Sequence, residues 1–310
     1  MKRTILATTA LVTCGSMAAA DVSLSGSAEI GVAGGSNMKA QVHRDARVSF
    51  GMSGETDTGL SFGTSLNLRH AGKYQPSGGV EGAIHISGVF GTLTVGNTDG
   101  AFDKAMLEVP AGTSIADNST GHKGWNGNSG LDAGGEIIRY DYSIGQISLA
   151  LSTQNGDDNV SLDDDGKDTN ASGPVTAAHG IGVGWSGEFA GASLGLGAGH
   201  QRSKMENISG ASLSVSLANG LGLGVTMSRK AVDGKDNVSH AGAGLSYSLG
   251  DVTFAVNGGQ TKTGDTNANG VGFAAAYSLG AGATFQIGAG SSKKGDESSN
   301  SWSAGIALSF

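Results

Sequence analysis

Apolar residues in this chain recur at every second position, in short runs, from Asp21 to the last residue. Val22, Leu24, Ala28, Ile30 and Val32 share one parity, and Ser23, Ser25, Ser27 and Glu29 share the other. A period of two separates the faces of an extended strand, so each run predicts a strand with one apolar face. The pattern returns at Val48, Phe50 and Met52, at Ile181, Val183 and Trp185, and at Val252, Phe254 and Val256. It closes the chain with Trp302, Ala304, Ile306, Leu308 and Phe310, about sixteen passes in all. The alternate face is mostly Ser, Gly, Thr and Ala, too small and polar to pack an interior. The apolar face must therefore point outward, toward lipid. In lipid, only closure of the sheet satisfies every strand's backbone groups. The predicted fold is all-β, a sixteen-stranded antiparallel transmembrane β-barrel whose last strand pairs with the one that begins at Asp21.

The connections sort into two kinds. "GETDTG", "VFGT", "SIGQ", "LANGLG" and "SLGDV" are short and rich in the residues of hairpin turns. Between them fall longer polar stretches: "KYQPSGG", "QNGDDNVSLDDDGKDTNASGP", "RSKMEN", "RKAVDGKDN", "TKTGDTNANG" and "SSKKGDESSN". Short turns on one rim and long loops on the other predict periplasmic turns and extracellular loops.

Composition changes this picture little. An apolar content of 38% and a mean hydropathy of −0.08 suit a soluble domain and a membrane barrel equally, because alternating faces average out. The first twenty residues stand apart. Lys2 and Arg3, the apolar run from Ile5 to Val12 and "MAAA" before Asp21 have the form of a secretory signal peptide. The expected division is thus 1–20 as a cleaved signal and 21–310 as the barrel. The one cysteine, Cys14, lies within that signal; Thr13 before it disfavours a lipoprotein cleavage there. Losing Lys2 and Arg3 takes the formal charge from −8 to −10. So acidic an exported chain is not built for nucleic acid, which wants clustered positive charge.

Taken together, these features resemble the general diffusion porins of Gram-negative outer membranes, closest to their alphaproteobacterial branch. The most specific stretches are "FGTLTVGNTDGAFDKA", "IRYDY" and the terminal Phe310. The resemblance implies a homotrimer of sixteen-stranded barrels in the outer membrane, among lipid and lipopolysaccharide, each with its long third loop folded into the pore. It also implies that Phe310 serves as an assembly signal, read by the barrel-assembly machinery.

Candidate chemistry gathers around one connection, about 97–135, far longer than a hairpin loop. It carries Asp99, Asp103, Glu108, Asp117 and Asp132, with Phe102, Met106 and Leu107 as anchors. Length alone suggests a surface loop; the resemblance places it inside the pore. Strand parity points Asp45, Arg47, Arg69, Glu81, His85, Arg139 and Asp141 into the lumen. Later strands point in a succession of glycines: 180, 182, 184, 195, 197, 199, 222, 224, 242 and 244. Each costs roughly 0.5–1 kcal/mol against Ala in a strand, so something is expected to lie against that wall. The expected constriction has Asp99, Asp103 and Glu108 on the loop side and Arg47, Arg69 and His85 on the basic wall, with a modest preference for cations.

Other motifs carry nothing. "GLSFG", "GASLG" and "GVGWSG" match catalytic or nucleotide-binding patterns by chance in a chain with 55 glycines. "DDDGKD" lacks the first Asp and last Glu of an EF-hand loop, and the seven His suggest no zinc site. No cofactor is expected; the resemblance adds Ca²⁺ at loop carboxylates as the one candidate ion. The expected function is passive diffusion of small hydrophilic solutes and ions, with no catalysis. A substrate-selective channel would show inward aromatics or a run of bases. A barrel-scaffolded hydrolase would need a Ser, His and Asn or Asp trio. The sequence displays neither.

Overall fold

The computed structural model describes residues 21–36, 38–72, 79–110, 112, 114–115, 130–131, 134–156 and 177–310. The signal peptide expected at 1–20 lies outside them, as do Asp117 and Asp132. Sixteen strands and one short helix follow in chain order. The first five strands are β1 (Asp21–Gly35), β2 (Met38–Glu55), β3 (Ser61–Ala71), β4 (Gly79–Gly88) and β5 (Gly91–Gly96). After α1 (Ala101–Ala105) come β6 (Gly134–Ile144), β7 (Ile147–Gly156), β8 (Ala178–Phe189), β9 (Ala192–Arg202) and β10 (Glu206–Leu217). The set ends with β11 (Leu221–Val232), β12 (Val238–Leu249), β13 (Val252–Thr263), β14 (Thr266–Gly280), β15 (Ala283–Lys294) and β16 (Glu297–Ser309).

Every strand pairs antiparallel with its chain neighbours, and β16 returns to β1 to close the barrel. At the seam Ile30 stands opposite Ile306 and Ala28 opposite Leu308. Phe310 extends the seam by one rung: its N–H donates to the Gly26 carbonyl at 2.8 Å, and Gly26 N–H donates back at 3.3 Å.

The register keeps the apolar parity on one face throughout. Val48 pairs with Leu68, Leu151 with Ile181, and Val256 with Phe273, all exposed on the outside of the barrel. The buried cluster lies elsewhere. Phe102, Met106, Leu131, Ala178 and Ile208 come together inside the barrel, where the long connection meets the wall.

One expectation is corrected here. The polar stretches "RSKMEN", "TKTGDTNANG" and "SSKKGDESSN" are not loops. The strands run on through them and turn within three residues between β9 and β10, and within two at Gly264–Asp265 and Gly295–Asp296. Gly264 and Gly295 take φ of 55° and 58°, the glycine-first geometry of a two-residue hairpin. Hydropathy misreads such segments because ladder hydrogen bonds continue whatever the side chains, whereas apolar alternation ends with the lipid band.

Candidate functional site

The long connection leaves β5 and lies along the inner wall, held by side chains of successive strands. Arg139 of β6 donates from Nη1 to Thr98 Oγ1 at 2.9 Å and to the Asp99 carbonyl at 2.5 Å, while its Nε pairs with Asp141 at 2.9 Å. Ala101 N–H donates to Ser152 Oγ of β7 at 2.8 Å, and Leu107 N–H to Ser212 Oγ of β10 at 2.7 Å. Farther along, Gln201 of β9 accepts from Leu131 N–H at 2.7 Å and donates to the Leu131 carbonyl at 2.9 Å. These partners satisfy backbone groups that a loop crossing the lumen would otherwise strand.

Within the connection the spacing sorts the side chains. Ala101, Phe102 and Ala105 of α1 are buried against the wall, and so are Met106 and Val109 in the non-helical stretch that follows. Asp99, Lys104 and Glu108 are exposed and Asp103 half-buried, turned away from it.

The glycine wall is where the sequence places it, with exceptions. A Cβ on Gly182 would strike the Ala101 carbonyl, one on Gly197 the Ala105 carbonyl, and one on Gly199 would stand 2.9 Å from the Phe102 ring. Gly224 and Gly244 make the same room for Val109 and Pro110. Gly184, Gly222 and Gly242 do not touch the loop; they face Ser148, Ser246 and His240. Gly210 beneath Met106, and Gly31 and Gly305 beneath Ile115, were missed: Gly210 and Gly305 stand singly in their strands, and Gly31 belongs to no alternating inward run. With Gly112 set between Ala255 and Ala274, the described loop residues trace a path from β6 around the inner wall to β1.

The exposed side of this path is acidic. Burial pushes the Asp103 carboxyl up to about 6, and the charges of Asp99 and then Glu108 add to the rise against the pull of Arg139. Glu108, though its side chain reaches the lumen, is raised as well, first by the partial loss of water around its carboxyl against the loop and then by the charge of Asp99. The wall of β2 to β4 carries the bases. Arg47 and Arg69 stand directly opposite in register and share one carboxylate, Asp45, at 3.3 and 2.8 Å. The expected basic wall therefore has an acid at its centre that offsets one of its two charges. His85 of β4 stands opposite Gly63, six residues along β3 from Arg69, whose own partner on β4 is Gly79; it therefore lies roughly 20 Å along the wall from the arginine pair and does not join it. Buried His43 pairs with Glu29 at 2.8 Å beside the arginine pair.

Sequence reasoning missed Ser152, Gln201 and Ser212 as anchors, and treated Arg139 as a lumen charge rather than a loop clamp. Their one signal was inward parity, and only Gln201 stood out, at the end of the inward glycine run of β9. Among the described residues no group of three His, Cys, Asp or Glu is placed to hold a metal ion.

Comparison with known proteins points one way. A family model described as Gram-negative porin matches residues 7–297. A porin of Rhodobacter capsulatus is 30% identical over 152 residues, 48% of this chain and 50% of the relative, so the match spans about half the length of that protein. Solved structures of engineered variants of the Rhodopseudomonas blastica porin cover 94% of this chain and 100% of their own, with TM-scores of 0.71 at 18% and 20% identity. At that identity the likeness is one of fold.

Proposed function

The chain belongs to the Gram-negative porin family, and we propose that it is an outer-membrane channel for passive diffusion of small hydrophilic solutes and ions, with a modest preference for cations. One observation carries the reading. The loop from Thr98 to Ile115 lines the wall with its apolar stripe and turns Asp99, Asp103 and Glu108 away from it. The lumen left over is bounded by these carboxylates and by the Arg47, Asp45 and Arg69 sector. Such a passage has water, charge of both signs and a width set by the loop, which suits polar solutes of limited size. Among the described loop residues, three carboxylates against Lys104 leave the loop side negative, and Asp45 weakens the opposing arginines; both features favour cations.

The homotrimer is part of the same reading. Arg44 is exposed on the outward face of β2, opposite Ile30 and between Val42 and Ala46. Arginine facing lipid costs about 2–4 kcal/mol at the midplane, a cost that a subunit contact over β1 and β2 removes. Planar-bilayer conductance together with liposome swelling in sugars of rising size tests the channel. Stepwise ohmic currents and a size cutoff are expected. Saturable uptake of one sugar without a size series would mean a substrate-selective channel.

A further inference from the structure

We propose that the lumen face of the loop rim holds an entry subsite for solutes carrying a primary ammonium group, with the Asp236 carboxylate and the Thr263 and Thr266 hydroxyls as its acceptors. The subsite rests on the reading of the barrel as a channel and names a class of solute collected at that mouth. The seat is built by the register. One inward rung crosses five strands, from His240 through Thr261, Ala268 and Lys294 to Glu297. Its centre is the Ala268 methyl. The taller side chains of Thr261 and Lys294 stand one strand away on either side, their Cα atoms roughly 10 Å apart. One step nearer the rim, Thr263 and Thr266 stand directly opposite each other. Asp236 and Glu297 complete the lining of the resulting cavity, about 610 Å³ in volume. Below it, His240 is buried, with Nδ1 3.2 Å from Thr261 Oγ1.

Asp236 reaches the seat from the connection between β11 and β12. Its carboxylate lies over the β13–β14 hairpin, where a Cβ on Gly264 would strike it, so the turn glycine leaves the room that the carboxylate fills. Three side-chain oxygens thus gather at one end of the cavity. A primary ammonium brings three N–H donors and no acceptor, which suits a carboxylate flanked by two hydroxyls. A hard metal ion wants six or more oxygens, largely from carboxylates, and among the described residues no group of three His, Cys, Asp or Glu is placed to supply them. The charges around the seat also select a cation. Asp265 and Asp296 sit in the two hairpin turns and Glu297 faces inward, opposite Lys294. Lys262 and Lys293 lie on the outward parity, opposite Asn267 and Asn269. Lys230, on the same rung as Thr263, is paired with Glu206 at 3.8 Å. Asp233 and Lys235 of the β11–β12 connection offset each other. Four carboxylates, Asp236 among them, therefore stand against the single inward ammonium of Lys294.

Two cations of nearly the same size and charge separate hydrogen bonding from bulk attraction: tert-butylammonium has N–H donors and tetramethylammonium has none. Equimolar chlorides of both are added at neutral pH to the full chain refolded in zwitterionic micelles. The width of each methyl proton resonance is compared with that in protein-free micelles. The excess broadening of tert-butylammonium should exceed that of tetramethylammonium by roughly threefold or more, the worth of one net hydrogen bond. Thr263→Val with Thr266→Val keeps the β-branched shape and the Asp236 charge, and should bring the two widths together. Asp236→Asn should reduce the broadening of both. Equal broadening in the parent protein, or a preference that survives the double threonine change, overturns the subsite. So does loss of the preference in calcium chloride far more dilute than the amine, which would make these oxygens a metal site. Conductance of the same preparation in planar bilayers is read separately. A conducting barrel with equal broadening refutes the subsite and leaves the channel intact; a preference in a barrel that does not conduct keeps the ammonium site and refutes the channel.

Discussion

Gly182 of β8 lies so close beneath Ala101 of α1 that a side chain on the glycine has nowhere to go: its Cβ would meet the Ala101 carbonyl and come within 2.5 Å of the Ala105 methyl. The loop and the wall are fitted to each other at this point. Gly182→Val should cost about 1–3 kcal/mol in overpacking, comparable with the few hydrogen bonds that tether the loop. The barrel should still form and resist denaturation in detergent, while single-channel conductance and the size limit for sugars rise. Gly184→Ala is the control. Its Cβ meets only the Ser148 hydroxyl at 2.5 Å, a group that can rotate away, and its conductance should match the parent.

The barrel was legible in the sequence because lipid and water impose opposite chemistry on alternate residues, and the period of two survives all sixteen strands. The glycine run at 180–199 was legible for a related reason: repeated loss of side chains on one parity has a cost that something must offset. Gly31, Gly210 and Gly305 were not legible, since an inward glycine outside an alternating run has many causes. Nor was the sharing of Asp45 by Arg47 and Arg69, which depends on the stagger between β2 and β3 rather than on parity. Strand ends above the lipid band were hidden for want of any apolar signal.

Parity can be tested within a narrow patch. Leu223 faces outward at 39% exposure, and Leu223→Arg should cost about 2–4 kcal/mol if it lies near the bilayer midplane. Ser246, on the adjacent strand one step away and facing inward, should accept Arg with little loss. Gly224 is not a neutral inward site, because its Cβ would stand 2.6 Å from Pro110 Cδ; Gly224→Ser should disturb the loop instead. Folded fractions in urea titrations from vesicles check the order: Leu223→Arg well below Ser246→Arg.

Phe310 is 79% exposed and contributes its two backbone hydrogen bonds to Gly26 more than burial. Deleting it should lower the stability of the finished barrel by about 1–3 kcal/mol at most. If the residue is an assembly signal, the amount inserted in cells should fall much further than the yield of refolding into pure lipid. Parallel losses in cells and in lipid would leave only the structural role.

Asp103 should give the pore a pH response. Its carboxyl, raised to about 6, is charged above that value and neutral below it. Cation preference should therefore weaken as the pH falls from about 7.5 to about 5, in a range where an ordinary aspartate stays ionised. The docked loop binds this proton more tightly than an exposed aspartate would, so docking strengthens as the pH falls through about 6 toward the ordinary aspartate range and loses that gain as the pH rises again. Asp103→Asn should flatten the response. Reversal potentials recorded over the pH series decide it.

The most direct measurement is the reversal potential under a salt gradient in planar bilayers, for three proteins. The parent should be modestly cation-selective. Replacing Asp99, Asp103 and Glu108 by Asn, Asn and Gln should move the reversal potential toward anions, without loss of folding, because the loop's anchors to Arg139, Ser152, Gln201 and Ser212 use backbone groups and the Thr98 hydroxyl. Replacing Arg47 and Arg69 by Gln should move it toward cations, and both shifts should shrink at high salt as screening takes over. A reversal potential unchanged in both variants would contradict the placement of these residues along the ion path.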